Sequence, residues 1–308
     1  MIRQLQIANF RCLRSVTLNL EPLTVFVGAN ASGKSSVFAA LMTSRFVWFR
    51  IEDIWQRQQG LTSDIQATDE RGGHFRRGFG VNGFGEATTT FPEPMVLQLD
   101  PQAIRTSSQL EPMHRLSPNG AGMVNVFASL PRSTRDEVAH HYCDLVPMFA
   151  DIDARPAGGG AHRMVFQDRW RPEIWYEPNE VSDGSMLLLA FLLLPYQSPA
   201  PDIVAIEEPE RGLHPYLMGQ LIGALRKLAN GELGPRPVQV LLATHSAELL
   251  EFVEPREVRF FHRSKGSGET VVEQAPVDDP SWLKSLREYD DSLGDLWLSG
   301  GLGGVPGR

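Results

Sequence analysis

Cysteine is scarce in this chain of 308 residues: Cys12 and Cys143 are the only two, which excludes a disulfide scaffold and suits a reducing compartment. Long apolar runs are missing too. The longest, 186–194, is too short to span a bilayer and reads as a buried helix. Residues 1–20 hold no continuous apolar stretch of signal-peptide length, so the expectation is a cytoplasmic protein with no membrane partner. Basic residues are not in excess. With 29 Lys and Arg against 37 Asp and Glu, the formal net charge of -8 excludes coating of nucleic acid by the whole surface and leaves only local basic patches. Internal repeats and a sustained heptad pattern are also lacking.

What is present is an alternation of strands and helices. Ile2, Leu5 and Ile7, then Val16, Leu18 and Leu20, read as two alternating strands around a turn near 11–14. Residues 23–27 form a compact apolar run that ends at Gly28, and 35–50 reads as a helix. From about 56 to 90 the pattern degrades into Gly, Arg, Phe and Thr. Residues 95–99 read as a strand, 136–146 as a helix, and 163–168 with 173–177 as a hairpin. Order returns with a helix at 182–194, a strand at 202–207 and a helix at 215–228, in which Leu217, Leu221, Leu225 and Leu228 share one face. A strand at 238–243, a helix opened by Ser246, and a hairpin of 258–262 with 270–273 follow. The fold class expected is α/β, with a mostly parallel central sheet, N-terminal antiparallel strands and a helical and β lobe inserted in the middle.

Four short stretches carry chemistry. Gly28-Ala29-Asn30-Ala31-Ser32-Gly33-Lys34-Ser35 matches G-x-x-x-x-G-K-[ST], fed by an apolar strand and followed by a helix. Glycines let backbone N–H groups turn inward around a phosphate chain, and the helix N-terminus adds positive potential. Lys34 would reach the outer phosphates and the Ser35 hydroxyl would ligate Mg²⁺. Glu207 and Glu208 end an apolar strand. Glu207 stands where Asp is usual and still offers a carboxylate to hold Mg²⁺ through water; Glu208 is the natural base for an attacking water. His245 follows another apolar strand, between Thr244 and Ser246, where it can hydrogen-bond a γ-phosphate or its water. In Val181-Ser182-Asp183-Gly184-Ser185, Ser182 can cap the next helix and Gly184 permits close approach to an anion; the same residues could serve only as a cap before a core helix.

These residues resemble the ABC-type ATPases, a P-loop NTPase superfamily, and specifically the non-transporter branch containing RecF, SMC and the overcoming-lysogenization-defect (OLD) ATPases. The resemblance rests on the opening Ile7-Ala8-Asn9-Phe10-Arg11, on "VGANASGKSS", on "SDGS" before "LLLAFLL", on "IEEPERGLHP" and on "THSAELLE". It covers roughly 1–45 and 163–262, and "LGDLWLSGGLGGVP" resembles the end of small stand-alone ATPases of this group. What it implies is a single ABC-type ATPase head over 1–308, with a nucleotide-binding core in 1–50 and 195–275, an inserted lobe at about 51–181, and a C-terminal helix and tail at 276–308. The cofactors implied are ATP and Mg²⁺. In an ATP-induced homodimer or higher oligomer, Gly28 to Ser36 of one copy would face Ser182, Asp183 and Gly184 of the other. Lys34, Glu208 and His245 would carry hydrolysis; Ser35 and Glu207 would hold the metal.

The branch couples such closure to DNA repair, chromosome handling or defence against phage. No segment here matches the long coiled-coil arms of SMC proteins, and the chain ends about sixty residues past His245. A nuclease or other effector is therefore expected as a separate polypeptide, with DNA as a further partner. Arg71, Arg76 and Arg77 interleave with Phe75, Phe79 and Phe84, a mixture suited to nucleic-acid contacts, though glycine-rich exposed lobes carry such residues without binding. The glutamine that senses the γ-phosphate stays open among Gln56, Gln58, Gln59, Gln66 and Gln98. Two rivals remain: the ATP-binding subunit of a membrane transporter, which the Phe-Arg opening fits poorly, and a non-hydrolysing ATP-binding scaffold, against which Lys34, Glu208 and His245 argue. A GTPase fails for want of an Asn-Lys-x-Asp element.

Overall fold

A computed structural model describes residues 1–43, 51–80, 92, 94–109 and 111–300. The end of the helix expected at 35–50, Phe84 and the last residues of the tail lie outside them. The chain divides into two compact units. Met1–Val96, Asp202–Glu210 and Gln239–Arg308 form the first; Leu97–Pro201 and Arg211–Val238 form the second.

The first unit is built on a six-stranded sheet in the order Thr270–Gln274, Val258–Arg263, Leu23–Gly28, Gln239–Thr244, Ile203–Glu207, Pro94–Leu97. Val258–Arg263, Leu23–Gly28, Gln239–Thr244 and Ile203–Glu207 run parallel to one another, and Thr270–Gln274 closes one edge antiparallel. The runs Val25–Phe26–Val27, Val204–Ala205–Ile206 and Val240–Leu241–Leu242 are buried without interruption, as expected of strands covered on both faces.

Beside it lies an antiparallel sheet of Leu13–Asn19, Ile2–Phe10, Thr62–Asp69 and His74–Gly80, in that order. Its buried face alternates with period two: Leu5 and Ile7 meet Val16, Leu18 and Ile65. These side chains join Val37, Phe38 and Leu41 of the Lys34–Met42 helix, and Phe26, Ala205, Leu241 and Phe261 of the central sheet, in one apolar core. That core fixes the helix behind the glycine loop.

The hairpin of Thr62–Asp69 and His74–Gly80 falls where the sequence pattern degrades. In Thr62–Asp69 the inward residues are Ser63, Ile65 and Ala67, so one large apolar side chain carries that strand's alternation, and Phe75, opposite Ala67, packs half-buried against the same core. Asp69 closes the turn by accepting N–H bonds from Arg71 and Gly73. Arg76 is held on Asp64 by two hydrogen bonds of 3.0 and 3.1 Å, and so is committed within the hairpin.

The second unit combines a long hairpin, Phe149–Gly158 with Ala161–Asp168, and the helices Met123–Ser129, Arg132–Leu145, Asp183–Leu192 and Pro215–Asn230. Tyr142, Phe149 and Phe166 pack ring on ring with centroids 5.4 to 6.1 Å apart. The apolar run at 186–194 is a core helix, buried all round through Leu192, and continues into a short 3-10 turn. Among the described residues no helix is long and apolar enough to cross a membrane.

Candidate functional site

Three neighbouring parallel strands end together. Leu23–Gly28 runs into the glycine loop, Gln239–Thr244 into His245, and Ile203–Glu207 into Glu208. Their order in the sheet differs from their order in the chain, so sites far apart in sequence meet at the carboxyl ends of the strands, where open α/β sheets bind ligands. Asn30, Ala31, Ser32, Gly33, Lys34, Ser35, Ser36, Glu207, Glu208 and His245 line one cavity of about 290 Å³, together with Cys12, Ala243, Thr244 and Arg263. Gly28 and Ala29 form the neck of the loop.

The loop is tied down from below. Thr270 donates its hydroxyl to the Ser32 carbonyl at 2.8 Å, and Arg263 donates to the Ala31 carbonyl at 3.3 Å. A Cβ at Gly28 would collide with the Phe261 carbonyl oxygen, and one at Gly33 with the Thr270 hydroxyl. Gly33 has φ 117 and opens the Lys34–Met42 helix without a side-chain cap, which leaves the first-turn N–H groups free of a protein side chain. Lys34 Nζ donates to the carbonyls of Gly28 at 2.7 Å and Ala29 at 3.0 Å. Burial pulls its ammonium below the ordinary lysine range, opposed by the charges of Glu208, Glu207 and Glu210. The cradle therefore combines an uncapped helix start, a partly desolvated cation and glycines at two positions that leave no room for a Cβ, which fits a phosphate chain.

Opposite the loop stand the acids. Glu208 adopts a left-handed backbone, φ 48, and its N–H still bonds the Ala243 carbonyl at 2.8 Å, so the strand turns sharply just past its last ladder bond. Oε1 of Glu208 lies 3.4 Å from Nδ1 of His245. Behind His245, the buried Thr244 hydroxyl donates to Glu210 and accepts the Ser246 N–H at 2.9 Å. Burial raises the Glu210 carboxyl above its ordinary value, and its Oε2 is buried with no hydrogen-bond partner. Ser35 and Glu207 add hard oxygen donors to the same cavity, the chemistry that Mg²⁺ takes alongside phosphate oxygens and water. Among the described residues no group of three or more His, Cys, Asp or Glu could hold a metal alone.

Ser182, Asp183 and Gly184 sit in the second unit. Ser182 caps the Asp183–Leu192 helix, accepting the Ser185 N–H at 3.2 Å, and Ser182 and Asp183 are exposed. Gly184 is buried where a Cβ would press on Leu213 and Leu217 at 2.8 and 3.0 Å. Asp183 is paired with Arg105. None of the five candidate glutamines lines the cavity; Gln66, for one, donates to Asp64 at 2.6 Å. Sequence reasoning missed Thr244 as a relay, Glu210, Arg263, Thr270 and Arg105. Glu210 was legible as a third carboxylate two residues past Glu208, and the other partners are made only by the fold.

A mostly parallel sheet carrying this loop and these acids, flanked by antiparallel strands, is the fold of an ABC-type ATPase head. Residues 1–48 match the family described as "AAA ATPase domain", and residues 173–251 the one described as "AAA domain, putative AbiEii toxin, Type IV TA system". Over 41 residues the chain is 46% identical to an OLD nuclease of Thermus scotoductus (strain ATCC 700910 / SA-01), a match spanning 13% of this chain and 8% of that protein. Among solved structures, the SMC head domain from Thermotoga maritima is 13% identical, covers 89% of this chain and 98% of its own, and has a TM-score of 0.54. An Smc head with an extended coiled coil, bound to the C-terminal domain of ScpA and derived from Pyrococcus furiosus, is 11% identical, covers 94% and 99%, and has a TM-score of 0.58. The fold is that of an SMC head, and the matched stretches are similar to AAA ATPase domains and to part of an OLD nuclease.

Proposed function

We propose that this chain hydrolyses ATP with Mg²⁺, two copies closing head to tail, and that closure signals to DNA or to an effector protein in DNA maintenance or defence against phage. One observation carries the reading: Lys34, Glu207, Glu208 and His245 meet in a single cavity at the ends of adjacent parallel strands. Phosphoryl transfer to water needs little covalent chemistry from a protein, and positioning with charge stabilisation supplies most of the effect. Loop N–H groups would hold the β- and γ-phosphates, and Lys34 would leave the Gly28 and Ala29 carbonyls for them. Glu208 would orient the attacking water and take its proton, while His245 would bond the γ-phosphate. When bound, Mg²⁺ would neutralise phosphate charge; the Ser35 hydroxyl and Glu207 carboxylate are the groups that would hold it.

Each cavity would be completed by Ser182 and Gly184 of the second copy, whose exposed helix start supplies N–H groups suited to the γ-phosphate. Smc heads of this fold have been solved bound to domains of ScpA, and that precedent for a docked partner supports an effector here. Light scattering on the Glu208→Gln variant tests the scheme. ATP with Mg²⁺ should convert it from one copy to two, and Ser182→Arg in the same background should block the conversion. A protein that stays single at saturating ATP would reject closure.

A further inference from the structure

The second unit carries a carboxylate where the proposed partner nucleotide would arrive. Asp183 stands in the first turn of the Asp183–Leu192 helix, directly after its Ser182 cap. A carboxylate there neutralises the positive end of the helix and repels a phosphate. The fold supplies an answer from 78 residues away. Arg105, the last residue of the Pro101–Arg105 helix, donates one guanidinium nitrogen to Asp183 Oδ1 and another to the Pro178 carbonyl. Its side chain is 9% exposed, against 48% for Asp183. The cation is thus fixed behind the anion, and the pair turns its carboxylate side to solvent.

We infer that Arg105 is a positioning residue for ATP-driven closure: by pairing with Asp183 it cancels the carboxylate and keeps the Ser182 helix start able to receive the γ-phosphate of a second copy. The inference rests on the closed-dimer reading. Without Arg105, Asp183 would meet the incoming phosphate as an uncompensated like charge; without Asp183, the guanidinium would be dispensable. The two residues should therefore be coupled, each substitution changing the effect of the other.

The test is a double-mutant cycle of Arg105→Gln and Asp183→Gly, built in the wild-type chain and in the Glu208→Gln background. Glutamine removes the charge while keeping an unbranched polar side chain with an N–H donor. Arg105→Gln should bind a fluorescent ATP analogue as a single copy like the parent. It should require roughly tenfold more ATP for dimerisation by light scattering, and turn over correspondingly less at subsaturating ATP. The double variant should return to the level of Asp183→Gly alone. An unchanged Arg105→Gln, or a double variant as impaired as Arg105→Gln with a parental melting temperature, overturns the inference. If Arg105→Gln melts early, Arg105→Lys provides the same comparison with the charge retained, and must then dimerise like the parent. Failure of the Glu208→Gln parent itself to dimerise would remove the closed-dimer reading, and this inference with it.

Discussion

Nδ1 of His245 lies 3.4 Å from Oε1 of Glu208, each side chain standing at the end of its own strand and each open to water. In the proposed reaction such a pair would bracket the attacking water. Replacing Glu208 by Gln keeps the shape and removes the proposed base. Turnover should fall roughly 10²–10⁴-fold, the usual range for losing a general base, while ATP affinity is retained. His245→Ala removes the proposed donor to the transferring phosphoryl group and should lower kcat by roughly 10²-fold or more. Phosphate release and a fluorescent-nucleotide titration read both; wild-type turnover in either variant excludes that residue from the reaction.

Lys34 offers a second test, because burial has already lowered its hold on the proton. The ammonium is the form that pairs with phosphates. In the free protein it is lost as pH rises, and at a lower pH than the ordinary lysine value of 10.5. ATP affinity should therefore begin to weaken below that pH. Lys34→Arg, charged throughout, should bind more weakly near neutrality because its planar fork is bulkier than the ammonium it replaces in the partly buried cavity, yet lose less on the alkaline side. Lys34→Ala should impair binding at every pH. Isothermal titration across the range separates these outcomes, and parallel curves for Lys and Arg would refute the argument.

Much of this site is legible in the sequence because its parts are local. A continuous apolar run ending in glycine, acid or histidine announces a buried strand and the group at its tip, and that describes Gly28, Glu207 and His245. The relations between the parts are not local. Thr270 reaches the Ser32 carbonyl across 238 positions, and Arg105 reaches Asp183 across 78. No periodicity relates such partners. The Phe149–Gly158 strand escapes recognition for another reason: a register shift between Phe149 and Asp151 breaks its alternation. In the Thr62–Asp69 strand two of the three inward residues, Ser63 and Ala67, are too small or too polar to mark a core face.

Glu210 predicts a pH dependence of stability. Burial raises its carboxyl above the ordinary glutamate value of 4.5, so between that value and the raised one the folded state holds a proton the unfolded chain has released. The fold then binds more protons than the unfolded chain, and stability falls as pH rises through this window. Glu210→Gln cannot ionise and still accepts from the Thr244 hydroxyl. Its melting temperature should decline less than that of the wild type as pH rises above 4.5. Superimposable slopes in calorimetry would show that Glu210 titrates as an ordinary acid.

Gln239 is buried, and its side chain acts as a short piece of sheet. Its Oε1 accepts the Ile2 N–H at 2.9 Å, and its Nε2 donates to the carbonyls of Ile2 at 2.7 Å and Glu21 at 3.1 Å. The first strand of the chain is thereby tied to the strand that ends at His245. Gln239→Leu keeps most of the volume but leaves an N–H and two carbonyls without these bonds. Unsatisfied buried groups cost about 1–3 kcal/mol each, partly relieved by relaxation, so the loss should be about 2–4 kcal/mol. Gln239→Glu is the sharper probe. It can still accept from Ile2, yet it sets a carboxylate oxygen against two carbonyls and carries a charge into a dry site, so it should be the less stable of the two at neutral pH. Urea unfolding midpoints order the three proteins. A Gln239→Leu variant within about 0.5 kcal/mol of wild type would mean that the strand is held by its apolar face alone.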